Sequence, residues 1–142
     1  MTIPTLETER LILRAIDPER DLDAWAAAMA DEETVRYIGG KTMNRAESWR
    51  NMAMGMGHWD IRGYGFFSVE EKATGRWVGR GGPWFPEGWP EPEIGWLLMD
   101  GYERRGYATE GAIEENNKDK DPQGQRARKQ KGHGSERRRL SS

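Results

Sequence analysis

One short segment of the chain combines residue types that suit the binding of an anion. Residues 102–112, YERRGYATEGA, contain two arginines, a glycine, a small residue and a threonine. The segment follows the apolar run EIGWLLMD (93–100) and precedes a helix-like pattern, so it is predicted to be the turn between a strand and a helix. The first N–H groups of a helix have no intrahelical acceptor and carry partial positive charge, which favours an anion in front of them.

The side chains of this turn strengthen the prediction. Arg104 and Arg105 would add full charges, Thr109 a hydroxyl donor, and Gly106 and Ala108 room for a close approach to the backbone. We therefore expect a site for a diphosphate or a similar anion. A turn whose glycine serves only the geometry, with solvated arginines, is the alternative that the spacing supports equally. The segment is neither a Walker A loop nor a complete dinucleotide fingerprint, because no Gly-Lys-Ser/Thr follows and Ala108 replaces the middle glycine of G-x-G-x-x-G.

The two parts of the chain differ in composition. All 7 Trp, 4 Tyr and 3 Phe lie within residues 1–113, where 19 Asp/Glu outnumber 13 Lys/Arg. Residues 114–142 hold 9 Lys/Arg against 5 Asp/Glu and no aromatic residue. A segment so poor in apolar residues cannot offset an ordering cost of about 1–2 kcal/mol per residue. We expect one domain over residues 1–113 and a basic, disordered tail over 114–142.

Composition also narrows the class of protein. The chain has no cysteine and only two histidines, so neither a disulfide nor a metal site is expected. It has no apolar run of membrane-spanning length and no charged-then-apolar leader. We therefore expect a cytoplasmic protein without a membrane partner.

The order of predicted elements indicates an α+β domain. A first strand is followed by two helices, then by three strands in succession and a last helix, which predicts a mainly antiparallel sheet flanked by helices. The strands are expected at 10–16, 64–73, 76–85 and 93–100, and the helices after Asp17, from Asn44 or Arg45 to about Asp60, and after the turn.

The second helix carries an apolar stripe. Trp49, Met52, Met56 and Trp59 recur at helical spacing and are expected to face the core. The two glycines of its AMGMGH stretch each cost a helix about 1 kcal/mol relative to alanine, so we expect a bend or an early end there.

Three segments resemble the GNAT superfamily of N-acetyltransferases. They are TERLILR (8–14), the stretch from YGFF to IGWLL (64–98) and GYERRGYATEGA (101–112), in that order. The likeness spans about residues 5–113 and is nearest to the branch that includes the ribosomal-protein alanine acetyltransferases. It implies a GNAT-like mixed sheet and acetyl-CoA as co-substrate. It also implies transfer of the acetyl group to a primary amine, at a protein N-terminus or on a small molecule.

The resemblance also implies cofactor contacts. In this family a Q/R-x-x-G-x-G/A loop binds the pyrophosphate of acetyl-CoA through backbone amides, and Glu103 stands here at its first place. The strand before the loop would pair with the pantetheine arm. The implied cofactor-binding residues are Leu97, Leu98 and Met99 on that strand and Arg104, Arg105, Gly106, Tyr107, Ala108 and Thr109 in the loop.

The same resemblance suggests residues for the acceptor side. Glu93 matches a glutamate that some relatives use as a base, which would take a proton from the amine through a water. A hydrogen-bonded or exposed glutamate at a strand start is the alternative. Trp84 and Trp89 are the candidates for lining the acceptor site, whereas Trp96 is expected to pack against the sheet.

Residues 114–142 depart from the family, whose members continue with a parallel strand, a further helix and a final hairpin. We therefore expect a C-terminally truncated or frame-shifted member that lacks the C-terminal strands and transfers acetyl groups poorly. The unpaired apolar strand edge predicts self-association, for example as a homodimer. A non-catalytic interaction module is thus the alternative function. Nucleic-acid binding by the tail is not expected, because the tail has no stacking aromatics and the body is acidic.

Overall fold

The computed structural model describes residues 2–36, 38–99, 101–102 and 105–119. Within this part, five strands and four helices form the predicted α+β arrangement, with an antiparallel sheet flanked by helices. The elements are β1 Leu6–Glu7, β2 Leu11–Arg14, α1 Pro18–Ala30, α2 Glu32–Val35, α3 Arg45–Arg62, β3 Phe67–Glu71, β4 Trp77–Trp84, β5 Glu93–Leu98 and α4 Tyr107–Asp119.

The sheet has the strand order β1-β2-β3-β4-β5, and every neighbouring pair is antiparallel. β3 and β4 form a hairpin whose turn ends at Gly75, at φ +73°. A bulge interrupts this hairpin, because Val69 lies opposite Gly79 while Glu70 lies opposite Trp77. β5 is the last strand of the order and therefore an edge strand in the described part of the chain.

The helix ends follow the signals that the sequence carries. Asp17 caps α1 by accepting from the backbone of Glu19 and Arg20. Asn44 and Glu47 form a capping box at the start of α3, and Gly63, in the left-handed region, ends that helix. α4 continues to Asp119, six residues past the expected end of the domain at 113. The tail prediction for residues 120–142 lies outside the described residues.

Two apolar clusters lie on the two faces of the sheet. One joins α1, α2 and α3 to residues such as Leu97, and the other joins residues such as Leu98 to the start of α4 at Tyr107. We call the first the helix-pair face, because α1 and α3 cover it. Adjacent residues of β5 thus belong to opposite faces, as the twofold repeat of a strand requires.

The predicted stripe of α3 is only half correct. Met52 and Trp59 are buried, but Trp49 and Met56 are 52% and 36% exposed. The buried stripe also includes Ser48, Gly55 and His58, so it is rotated relative to the apolar residues. The expected early end at the glycines was wrong, because α3 continues to Arg62. A Cβ on Gly55 would lie 3.2 Å from Ile16 Cδ1, so this glycine allows the helix to pack closely.

Candidate functional site

The turn between β5 and α4 has backbone donors that no described residue accepts from. Gly106 is exposed and takes φ +77°, a conformation that favours glycine. The first intrahelical bond runs from Glu110 N–H to the Gly106 oxygen, at 3.0 Å. Among the residues that the structure describes, none accepts from the N–H groups of 106–109. Arg104, a predicted contact, lies outside the described residues, as does Glu103.

A buried carboxylate holds the underside of this turn. The Tyr107 hydroxyl donates to Glu71 Oε2 at 2.6 Å, and Arg105 Nη1 donates to the same oxygen at 3.0 Å. Thr74 Oγ1 donates to Glu71 Oε1 at 2.8 Å. The hydrogen bond from Tyr107 is the main cause that lowers the pKa of Glu71, so this carboxyl is ionised at neutral pH. The Tyr107 side chain therefore anchors the turn.

Two arginines bring positive charge to the same turn. Arg105 is about half exposed, and its guanidinium lies 4.4 Å from the centre of the Tyr102 ring. Arg10, which the sequence analysis did not select, lies 4.5 Å above the Tyr107 ring. Its Nη2 is 3.6 Å from the position that a Cβ would take on Gly106. An anion in front of the N–H groups of 106–109 would thus meet Arg10, and no local spacing could have indicated a residue so distant in sequence.

Glu110 fastens the first turn of α4 to the β1–β2 connection. Its Oε1 accepts from Arg10 Nε at 2.7 Å, and its Oε2 accepts from the Arg10 backbone at 2.9 Å and from the Thr8 hydroxyl. Burial acts to raise the pKa of Glu110, but these hydrogen bonds outweigh it and lower the pKa. Glu71 and Glu110 therefore fix the turn from two sides.

The backbone of β5 divides between the sheet and its outer edge. Met99 N–H donates to the Val78 oxygen at 2.8 Å, so Val78 and Met99 form a hydrogen-bonded pair. Because such pairs alternate in an antiparallel ladder, the backbone groups of Leu97 also face β4, whereas those of Trp96 and Leu98 face outward. No other strand of the described chain pairs with this edge. Of the three predicted pantetheine contacts, Leu98 is thus the one whose backbone lies at the open edge.

Glu93 lies at the opposite end of β5 from the turn that precedes α4. It is partly buried, and its Cα is opposite that of Trp84. At about 3.3 Å per residue, the strand separates Glu93 from Leu98 by about 17 Å. The candidate base and the candidate phosphate site therefore stand at the two ends of one edge strand.

Trp84 forms the centre of an aromatic stack on the helix-pair face. Its ring lies 4.0 Å from Phe66 and 4.2 Å from His58, with both neighbours nearly parallel to it. His58 Nε2 accepts from Phe85 N–H at 2.9 Å, so its Nδ1 carries the proton and donates to the Tyr64 oxygen at 2.7 Å. Burial lowers the pKa of His58, which keeps the ring neutral.

Of the two predicted acceptor tryptophans, one lines a cavity that the structure describes. Trp84 lines an apolar cavity of about 320 Å³ between the end of α3 and the segment after β4, and Trp89 is not among the described lining residues. Trp89 is 38% exposed. Trp96 packs as expected, since a Cβ on Gly81 or Gly111 would lie only 2.2 Å from its ring. The cavity lining comprises Met54, Gly57, His58, Ile61, Arg62, Trp84, Phe85, Pro86 and Glu87.

The described residues include neither a metal site nor a membrane-spanning helix. They contain no group of three His, Cys, Asp or Glu side chains that could hold a metal ion. Their helices include none that is both long enough and apolar enough to cross a membrane.

Comparison with known proteins identifies the domain. Residues 10–114 match the family model of the acetyltransferase (GNAT) domain. The chain belongs to this family. Acetyltransferases of the GNAT family use acetyl-CoA, and the turn described above occupies the last part of the matched segment. No curated protein matches the chain in sequence.

Solved structures agree with the GNAT fold. An acetyltransferase from Agrobacterium tumefaciens superposes with a TM-score of 0.72 at 28% identity, over 96% of this chain and 83% of its own. A putative ribosomal-protein-serine acetyltransferase from Vibrio cholerae gives 0.61 at 22% identity, over 78% and 64%. RimL, a ribosomal L7/L12 alpha-N-protein acetyltransferase in complex with coenzyme A, gives 0.60 at 16% identity, over 75% and 62%. The last two likenesses show the fold alone.

Proposed function

We propose that this chain transfers the acetyl group of acetyl-CoA to a primary amine, at a protein N-terminus or on a small molecule. The observation that carries the proposal is the row of backbone N–H groups at 106–109 for which the described residues offer no acceptor, in a chain of the GNAT acetyltransferase family. The ribosomal-protein acetyltransferase branch and a cytoplasmic location, where acetyl-CoA is made, belong to the proposal.

The turn would bind the pyrophosphate of acetyl-CoA. Gly106 lets an oxygen approach the backbone, and the dipole of α4 favours negative charge at this end. Arg10 and Arg105 supply cations beside it, while Ala108 and Thr109 supply backbone donors and a hydroxyl. Because the backbone would make most of these contacts, Glu103 in place of the usual Gln or Arg at the first motif position should weaken binding only slightly.

The pantetheine arm would lie along the open edge of β5. The outward backbone groups of Leu98 and Trp96 are placed to hydrogen-bond an extended amide chain, as a neighbouring strand would. An outward N–H of this edge would also polarise the thioester carbonyl as negative charge develops on its oxygen. Leu97 and Met99, whose backbone groups face β4, would contribute through their side chains on the helix-pair face.

The amine must lose a proton before it attacks the thioester. Glu93 begins the same strand and would take that proton through a water, which is the role that the proposal assigns to it. Trp84 would form one wall for the acceptor, and the partly exposed Trp89 would close over it from the segment between β4 and β5.

The open edge of β5 favours a second function. An apolar edge strand without a neighbour recruits another chain, so we propose that the chain self-associates through β5 and turns over slowly as a monomer. Size-exclusion chromatography tests this function. A dimer that the wild type forms and that Leu98→Pro loses would support it, and a strictly monomeric wild type at high concentration contradicts it.

Two matched glycine substitutions test the acetyl-CoA site. Gly106 and Gly75 have φ of +77° and +73°, and both are exposed, so a side chain causes similar strain of about 1–2 kcal/mol at either position. We expect acetyl-CoA to raise the Tm of the wild type and of Gly75→Glu but not of Gly106→Glu. At 100 times Kd the stabilisation is about 2.7 kcal/mol, or several degrees.

Release of thiol from acetyl-CoA in the presence of an amine then separates transfer from binding. Loss of the Tm shift in both glycine variants would remove the argument for the turn. The absence of any shift in the wild type at millimolar acetyl-CoA would contradict the proposed function.

A further inference from the structure

Arg80 is a buried cation for which the described residues offer no ion-pair partner. It lies in the middle of β4, is only 9% exposed, and its Nε has no hydrogen-bond acceptor. Within the described residues, no carboxylate forms an ion pair with its guanidinium, which lies 4.2 Å above the Phe66 ring. Burial lowers its pKa to about 10, so it remains charged at neutral pH.

The carboxylate that is hydrogen-bonded to the β3 partner of Arg80 already has a cation of its own. Ser68 is the β3 partner of Arg80, and its hydroxyl donates to Asp21. Asp21 in turn receives two hydrogen bonds from Arg14. An unpaired buried charge costs several kcal/mol, and a cation–π contact of up to about 2 kcal/mol offsets only part of this cost. The fold therefore keeps a charge that its own described residues do not compensate.

Arg80 lies close to the strand that carries the proposed reaction site. Its Cα is opposite that of Leu97, so its side chain lies on the helix-pair face, one strand or about 5 Å from the open edge of β5. Two residues along this face of β5 comes Gly95, which has no side chain, and then Glu93. The stack of Arg80 on Phe66 and of Phe66 on Trp84 runs in the same direction, toward the Glu93 end.

We propose that Arg80 binds a carboxylate of the acceptor, which is therefore an amine that also bears a carboxylate, such as an amino acid or a short acidic peptide. A guanidinium offers two parallel N–H donors that match the two oxygens of a carboxylate. The bound carboxylate would compensate the charge of Arg80 and direct the amine toward Glu93 and the β5 edge. This inference rests on the proposed acetyl transfer and assigns the substrate class at that site.

Acetate is the probe for the binding site. A buried Arg Nε–H exchanges slowly and gives its own signal in a ¹⁵N–¹H spectrum, and Arg80→Met assigns it by deletion. We expect the Arg80 Nε–H signal to move and saturate with sodium acetate, but not with sodium chloride at equal ionic strength. Arg76→Met, which removes an exposed arginine of the same hairpin, should leave the titration unchanged.

Kinetics with paired acceptors tests the substrate class. We expect Arg80→Met to raise KM for alanine about 10- to 100-fold and to leave KM for alaninamide unchanged, because only alanine offers a carboxylate. Arg80→Lys should recover part of the affinity, and it replaces the Met variant if that variant does not fold.

The possible failures are distinguishable. A Tm shift with acetyl-CoA but no movement of the Arg80 signal with acetate would overturn this inference and leave the proposed function standing. Movement with phosphate and not with acetate would overturn the carboxylate assignment. Gly106→Glu should abolish the acetyl-CoA shift and keep the acetate response, and loss of both would show that acetate binds at the turn instead of at Arg80.

Discussion

The hydroxyl of Tyr107 offers a direct test of how the turn between β5 and α4, the proposed anion site, is held in place. Tyr107 is 4% exposed, and its hydroxyl donates to Glu71 Oε2 at 2.6 Å. Tyr107→Phe removes this hydrogen bond and leaves the ring in place. The carboxylate keeps its bonds from Arg105 and Thr74, so the variant should fold.

The size of the effect follows from the charge of the acceptor. A hydrogen bond to an ionised group contributes about 1.5–3 kcal/mol, and the two remaining donors moderate the loss, so we expect the free energy of unfolding to fall by about 2 kcal/mol. For a domain of this size, that corresponds to a Tm lowered by about 6–8 °C. Because the turn also loses an anchor, the Kd for acetyl-CoA should rise several-fold.

Chemical denaturation at pH 7 and calorimetric titration with acetyl-CoA measure the two effects. Tyr102→Phe is the matched control, since the Tyr102 hydroxyl has no hydrogen-bond partner in the described part of the chain. A Tyr107→Phe variant as stable as Tyr102→Phe would refute the reasoning that Glu71 fixes the turn through this bond.

Three further substitutions test how individual residues stabilise the fold. Asp21→Asn breaks the ion pair of the fully buried Asp21 with the partly buried Arg14 and should cost about 3 kcal/mol, measured by urea denaturation. Burial acts to raise the pKa of Asp21, but its hydrogen bonds outweigh it and lower the pKa below the ordinary 3.8. Its stabilisation is therefore complete above pH 3.8 and is lost as the pH falls further, so Asp21→Asn should flatten the acid limb of a stability curve. Among helical glycines, Gly57→Ala meets no atom within 4 Å and should stabilise by about 0.5–1 kcal/mol, whereas Gly111→Ala meets the Trp96 ring at 2.2 Å and should destabilise by about 1–3 kcal/mol. Equal Tm values for the two alanine variants would contradict this.

Local signals in the sequence were sufficient for most elements. The caps at Asp17 and Asn44 and the turn at Gly75 each depend on neighbours a few residues away, so their positions could be predicted. β1 and α2 were missed because two and four residues are too few to show a period. The stripe of α3 was partly misjudged because a serine, a glycine and a histidine occupy its inward face.

The candidate site also has a part that the sequence predicts and a part that it does not. The turn around Gly106 was visible because its residue types are contiguous, whereas its supports come from residues far away along the chain. Glu71 is 36 positions from Tyr107, and Arg10 is 100 positions from Glu110. Asp21 stands in the first turn of α1, where acids are common, although it is the buried partner of Arg14. Such pairings depend on strand order and register, which one sequence does not reveal.

The paired carboxylates beneath the start of α4 have a consequence for the speed of ligand capture. Glu71 and Glu110 are hydrogen-bonded to three different segments of the chain, so the turn is held in place before any ligand arrives. A receptor that is assembled in advance loses little conformational entropy on binding and needs no slow rearrangement during the encounter. Substitution of either carboxylate should therefore slow the association of the ligand as well as speed its dissociation. Loss of a single contact between the turn and the ligand would mainly speed dissociation.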